Sequence, residues 1–488
     1  MCLIISHGDG LTQKNIMIDC KNSDKNTILR HIYIDCSGTF YSGFNTGIQR
    51  TVRNIVLRSK MMEEKYNLPV IPVVAVLGKF IEVNCDDLSR RFYKEKKTLF
   101  DKLSGYYLSA EKKVKVFSEP YPDINNKTNN KLKTAILSNI RIYLKNIFQA
   151  VFLGYLFFFK RYRFKIVKVN SNDLIFLPDT YWSFNVLSIA KRYKAKKGTP
   201  IITLIHDIIP IRYPQFFDSL HINVLAKHIY EATDYSDGFI CNSKYSTDDF
   251  KNYLKTIQLS KNKYLIKKPI EYFYLGSNFA ETKDIAYLPI RNYIKNVLKN
   301  KNVYLMVGTI EPRKNHIFVL DVFEKLWEKG FNAHLIIVGA IGWNCDNVIK
   351  RFQDSKYLGS YLFVYHDIND AELKYLYKNS KALIIASIAE GFGFPLVEAA
   401  QNIINVFASD IPVFREIGGD YPVYFSLSRE DDLMNKIISF EQTDVVIEKE
   451  GNNKHRIISL NWDDSISSLF NNLIEMYETI KQENAETF

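Results

Sequence analysis

Four short segments carry the residues that could do chemistry. GTIEPRKN, residues 308–315, follows an apolar run and precedes an amphipathic one. Arg313 and Lys314 therefore stand at the start of a helix, where free N–H groups and the helix dipole already favour an anion. Two cations there would neutralise a pyrophosphate. A solvated basic loop is the plain alternative, and the strand–Gly–loop–helix context argues against it. EGFGFPLVE, residues 390–398, holds the second signal. Gly391 and Gly393 let backbone approach a ligand without a Cβ in the way, and Pro395 suits the first turn of a helix. Glu398 then lies on that helix and Glu390 in the loop before it, so two carboxylates one loop and one turn apart can grip hydroxyls at opposite ends of a sugar nucleotide. Taken as an isolated pair, they would read as ordinary surface charges.

The third signal is His206-Asp207, which ends the apolar run 201–205; ligands of open α/β sheets gather beyond the carboxyl ends of strands. The fourth is the loop SGTFYSGFNTG, residues 37–47, followed by Arg50. Its small residues would admit a phosphate or an acceptor to the start of a helix over residues 47–62. A dinucleotide fingerprint is excluded, since the third glycine position after Gly391 and Gly393 is Leu396. There is no Walker A motif and no zinc-type cluster.

The elements that must position these residues follow one rhythm: a short apolar run, a turn, then an amphipathic helix. Strands are expected at residues 31–36, 70–77, 174–177, 201–205, 238–241 and 263–267. After a looser stretch at 277–289 they resume at 303–307, 334–338, 361–364 and 381–386. Helices are expected at 316–329, at 371–379 with Asp370 as its cap, and at 462–480. Strands alternating with helices imply parallel sheets, and two such runs imply two doubly wound domains. A chain of 488 residues is also too long for one ordinary core.

Six cysteines lie far apart with no C-x-x-C pair, which fits reduced cytosolic thiols better than a disulfide framework. The first residues have too short an apolar run and no basic leader for a secretory signal. A net charge of +12 attracts phosphates of any kind. Residues 147–159 are nearly all apolar and a basic run follows at 160–165. As a helix they would rise about 20 Å, short of a roughly 30 Å hydrocarbon core. A packing helix and an interfacial membrane helix with a basic flank both fit, and KRYKAKK at residues 191–197 tilts the reading toward a membrane surface.

These segments resemble the retaining family 4 glycosyltransferases. GTIEPRKNH, HLIIVGAIGW, INDAELKYLYKNSKALIIAS, EGFGFPLVEA and ASDIPVFREIGGD occur in that family's order and spacing. The N-terminal match is thinner: TGIQRTVRNI, LIHDIIPIRYPQFF and ICNSKYSTDDF look most like bacterial mannosyltransferase-like enzymes of O-antigen or capsule assembly. The resemblance implies an α/β chain with the GT-B fold, two Rossmann-like domains with the site in the cleft between them. Residues 1–280 would form the acceptor side, 281–460 the nucleotide-sugar domain, and 461–488 a terminal helix returning to the first. It implies Arg313 and Lys314 on the donor diphosphate, Gly47 beside those phosphates, Glu398 on the ribose and Glu390 on the transferred sugar. Gly391 would belong to the donor site, backbone amides of Phe392, Gly393 and Phe394 would flank that sugar, and His206 would stand near the reacting centre. Front-face attack assisted by the leaving phosphate needs no protein nucleophile, so charge stabilisation would supply most of the catalysis. No metal and no cofactor are expected, the nucleotide sugar being a substrate.

The chain departs from the family at Ile403 and Asn405, which replace the usual Gly-x-Pro with Asn402 as a cap, and at Ala386, which replaces a common Pro. The expected activity is transfer of a hexose, first mannose from GDP-mannose, to a growing surface polysaccharide or lipid-linked glycan. UDP- or dTDP-sugar transfer, a catalytically weak sugar-nucleotide scaffold and a GT-B epimerase are the alternatives, the last disfavoured by loops of the transferase type. A cytoplasmic chain, peripheral on an anionic inner membrane face, is expected. Nucleic acid is not an expected partner, because no recognition helix or aromatic–basic platform accompanies the charge.

Overall fold

The computed structural model describes residues 28–41, 46–88, 165–179, 186–261, 267–277, 289–299, 302–443, 457–458 and 460–486. The apolar segment 147–159 and its basic run through residue 164 lie outside the described residues. Strands of the first half are β1 (His31–Asp35), β2 (Val70–Val76), β3 (Lys79–Glu82), β4 (Lys165–Ile166), β5 (Asp173–Leu177), β6 (Ile201–Ile205), β7 (Gly238–Cys241) and β8 (Ile270–Tyr272). Those of the second half are β9 (Val303–Val307), β10 (His334–Val338), β11 (Leu362–Tyr365), β12 (Ala382–Ile385), β13 (Asn405–Ser409) and β14 (Val423–Phe425).

They form two sheets, ordered β4-β3-β2-β1-β5-β6-β7-β8 and β11-β10-β9-β12-β13-β14. The second is parallel throughout. The first is parallel except for the antiparallel margin of β3 and β4. β5, β6, β7 and β10 are buried along their whole length, as continuous apolar runs must be when helices cover both faces. Strand order reverses between β1 and β5 in one sheet and between β9 and β12 in the other. Two crevices therefore open beyond the carboxyl ends of these strands.

Several boundaries differ from the sequence reading. The helix expected over 47–62 is two, Gly47–Leu57 and Ser59–Tyr66, which part at Arg58. Of the strand expected at 263–267, residues 263–266 lie outside the described residues, and β8 follows at Ile270–Tyr272. The helix Asp370–Asn379 is capped by Asn369, not Asp370. Asn369 Oδ1 accepts the Glu372 N–H at 3.0 Å, and Glu372 Oε2 accepts the Asn369 N–H at 3.1 Å. This reciprocal pair satisfies two free amides where Asp370 could satisfy one.

The last helix, Trp462–Glu486, lies along the first sheet unit. Trp462, Ile466, Leu469, Phe470, Leu473, Met476, Tyr477 and Ile480 form its buried stripe, at the spacing of one helical face. Asn472 and Ser465 donate to the carbonyls of Tyr272 and Tyr274 at 2.7 and 2.6 Å. Arg58 pairs with Asp463.

Candidate active site at the facing crevices

β9 runs into the GTIEPRKN loop and β12 into the EGFGFP loop, so both segments emerge at the reversal of the second sheet. A hydrogen bond of 2.9 Å from the Ile388 N–H to the Arg313 carbonyl ties the loops together. Arg313 and Lys314 close a short turn, and Asn315 then takes a left-handed conformation to launch the helix His316–Glu328.

The two cations are not free for an anion. Arg313 Nη1 lies 2.9 Å from Glu390 Oε2, and its other amino group pairs with Glu311. Lys314 donates to Glu390 Oε1, as does the Ser387 hydroxyl at 2.7 Å. Burial alone would raise the Glu390 carboxyl, yet Arg313 and Lys314 more than reverse it and hold it near 2. Glu390 is therefore ionised throughout the neutral range. Asp207 faces the same cluster: burial raises its carboxyl while Arg313 pulls it down.

Glu398 sits one turn into the helix Phe394–Gln401 and is buried. Arg50, from the other sheet unit, donates to Glu398 Oε1, and the Tyr377 hydroxyl donates to Oε2 at 3.0 Å. Counting two acceptor positions on each carboxylate oxygen, Glu398 retains one on each oxygen. Glu390 retains one, on Oε2. The first arrangement suits a vicinal diol and the second a single hydroxyl.

Gly391 and Gly393 have firmer duties than clearance for a ligand. A Cβ on Gly391 would lie 3.0 Å from the His206 carbonyl and 3.1 Å from Asp207 Cβ, so this glycine lets the two units meet. Its carbonyl accepts the hydroxyls of Ser243 and Ser246 at 2.8 and 3.0 Å. Gly393 is left-handed (φ 96°), and a Cβ there would meet the Phe414 ring at 2.7 Å. Phe392 is buried, with its ring edge-on to Phe394. Gly47 opens the helix Gly47–Leu57 against the Phe394 ring, which a Cβ would touch at 3.4 Å.

His206 Nε2 donates to the Pro178 carbonyl, 2.8 Å away. Burial pushes it down to about 4, so it is neutral at pH 7. Facing a carbonyl, Nε2 must carry the proton, which leaves Nδ1 as the lone-pair nitrogen. The backbone contact with Gly391 sets His206 beside the Glu390 loop.

The first sheet's crevice holds a second acidic pair. Asp35, at the end of β1, and Asp179, after β5, are fully buried. Ser37 donates its hydroxyl and N–H to Asp35 Oδ1 at 2.5 and 3.2 Å, and the Thr39 N–H meets Asp179 at 2.6 Å. Burial and the neighbouring Asp179 charge raise the Asp35 carboxyl far above its ordinary range. Asp35 Oδ2 has no hydrogen-bond partner.

The structure thus brings Arg313, Lys314, Glu390, Gly391 and His206 into one cluster, and Gly47, Phe394 and Glu398 into another on the adjoining helix. Sequence reasoning missed Glu311, Tyr377, Ser387, Ser243 and Ser246. Glu311 precedes the Arg-Lys pair and Ser387 precedes Glu390 by three positions, so both were open to a local reading. The remaining three carried no signal. Among the described residues no group of His, Cys, Asp or Glu could hold a metal ion, and no helix is long and apolar enough to cross a membrane.

Residues 291–456 match the family described as Glycosyl transferases group 1. Similar sequences include the serotype-specific mannosyltransferase WbdA of Escherichia coli, 31% identical over 292 residues, covering 57% of this chain and 34% of WbdA. Another is the O-antigen chain mannosyltransferase RfbU of Salmonella typhimurium, 31% identical over 155 residues, covering 32% of this chain and 42% of RfbU. The chain spans about a third of the length of WbdA. Among solved structures, an alpha,alpha-trehalose-phosphate synthase (UDP-forming) from Burkholderia vietnamiensis superimposes with a TM-score of 0.51 at 9% identity, covering 95% of this chain and 100% of that one.

Proposed function

We propose that the chain, whose residues 291–456 match the Glycosyl transferases group 1 family on a GT-B frame, transfers a hexose from a nucleotide sugar to a glycan acceptor with retention of configuration. The observation that supports this most is the acceptor count at the two glutamates. Glu398 offers two open positions on separate oxygens, the pattern for the two ribose hydroxyls. Glu390 offers one, beside two cations that can pass from carboxylate to diphosphate. Neutral His206 presents an unprotonated nitrogen at the seam, where it can accept a sugar hydroxyl. Arg313 and Lys314 offset the charge that grows on the leaving diphosphate, and preorganised charge of this kind supplies the largest share of catalysis in such sites.

GDP-mannose is the proposed donor, its sugar supported by the similarity to the mannosyltransferases WbdA and RfbU, and a growing surface polysaccharide or lipid-linked glycan the proposed acceptor. Incubation with GDP-mannose, UDP- and dTDP-sugars, with the product anomer assigned by NMR, tests this. The expected result is turnover with one donor and retained configuration. Tight binding without turnover for every donor would make the chain a scaffold, and inversion would refute the front-face mechanism. Attachment to the inner membrane face is part of the same proposal, and sedimentation with anionic but not neutral liposomes tests it.

A further inference from the structure

We propose that Arg50 is a positioning residue of the nucleotide site, lent across the cleft by the opposite sheet unit. The inference rests on the reading of Glu398 as the ribose-binding carboxylate. Arg50 lies on the helix Gly47–Leu57, whose start is fixed by a capping box between Thr46 and Gln49. Its guanidinium stacks on the Phe394 ring, 4.8 Å from the centroid, and donates to Glu398 Oε1. The Arg50 side chain is partly exposed while Glu398 is almost wholly enclosed.

A buried carboxylate needs its charge balanced and its plane fixed before it can accept two hydroxyls at once. Tyr377 serves one oxygen from within the same sheet unit, but a phenol brings no charge. Arg50 brings the charge, and the stacking on Phe394 fixes the fork from which it donates. Its bond takes one lone pair of Oε1 and leaves the other for the ligand. The nucleotide site is therefore complete only when the helix Gly47–Leu57 is closed onto the helix Phe394–Gln401. Donor affinity and closure of the two units are then one equilibrium.

A double-mutant cycle on the full chain tests this, with GDP and UDP as calorimetric probes. Glu398→Ala should weaken whichever nucleotide binds by roughly 10- to 100-fold. Arg50→Met, which keeps the stacking on Phe394 without the charge, should weaken it by about tenfold, with donor KM raised and kcat little changed. Arg50→Lys should recover part of that loss. On the Glu398→Ala background, Arg50→Met should cost nothing further. An equal loss on both backgrounds would make Arg50 a direct ligand and overturn the positioning role. Tighter binding by Arg50→Met would show it to be a competitor for Glu398 and overturn it too. If Glu398→Ala alone leaves affinity intact, the ribose assignment itself falls, and the proposal with it.

Discussion

Replacing Glu390 by Gln removes one charge from a cluster in which both neighbouring cations depend on it. Arg313 approaches its carboxylate at 2.9 Å and Lys314 bonds the other oxygen, all three side chains being nearly buried. Breaking such a network from one side costs about 3–5 kcal/mol in the empty protein. The same change frees Lys314 and one amino group of Arg313 for phosphate, the other staying on Glu311. At about 5 Å and an effective dielectric of about 20, one pair of unit charges is worth roughly 3 kcal/mol. Part of that is lost to solvation of the freed ions, so the nucleoside diphosphate should bind about 10- to 100-fold more tightly. Turnover should fall by about 100-fold or more, because the contact to the transferred sugar is gone. Calorimetry with GDP or UDP, paired with thermal unfolding with and without nucleotide, reads both effects. The variant should melt well below wild type when empty and recover most of the gap at saturating nucleotide. A folded variant that binds nucleotide more weakly than wild type would refute the charge argument.

Gly391→Ala puts a methyl 3.0 Å from the His206 carbonyl, so the units must part by about half an ångström; kcat/KM should fall about tenfold with little change in melting temperature, and unchanged kinetics would contradict the close seam. Asp35 holds its proton far above the carboxyl range, so the folded state binds that proton more tightly than the unfolded one. Stability should therefore fall as pH rises from about 4 into the neutral range, by at most about 1.4 kcal/mol per pH unit. Asp35→Asn should flatten the urea midpoint between pH 5 and pH 8, and parallel curves for the two proteins would remove the protonated-Asp35 account. Turnover should persist in EDTA, since Arg313 and Lys314 supply the charge a metal would otherwise bring; loss in EDTA with recovery in magnesium or manganese would reverse this.

What the sequence made legible were features whose cause is local. Apolar runs such as 201–205, 238–241 and 334–338 coincide with β6, β7 and β10, because a strand buried on both faces reads as a nearly continuous apolar run. Asn369 caps its helix through a capping box with Glu372, a pairing local in sequence; the adjacent Asp370 is an equally good cap by type alone. The ion pairs could not be read. Arg50 and Glu398 are 348 positions apart, and only the meeting of two sheets makes them neighbours. Nor could the sequence show that Lys314 already has a partner. At the departure from the family's Gly-x-Pro, the backbone keeps the shape that glycine favours: Asn402 is the helix cap, and Ile403 itself takes the left-handed conformation at φ 54°. That placement costs a branched side chain about 1–2 kcal/mol.

The stripe of the helix Trp462–Glu486 also constrains how the chain can be made. Its eight apolar residues complete the layer over β7 and β8, with Met476 against Gly238, yet they are synthesised about two hundred residues after Tyr272. When Tyr272 leaves the ribosome the first sheet has all its strands but not its cover. At roughly 5–20 residues per second, the remainder through Glu486 takes on the order of 10–40 s. For that interval the nascent first unit presents an open apolar trough to whatever is nearby, so it is a natural client for a ribosome-associated holdase. Closing that trough is vectorial, the helix Trp462–Glu486 docking onto a surface finished long before.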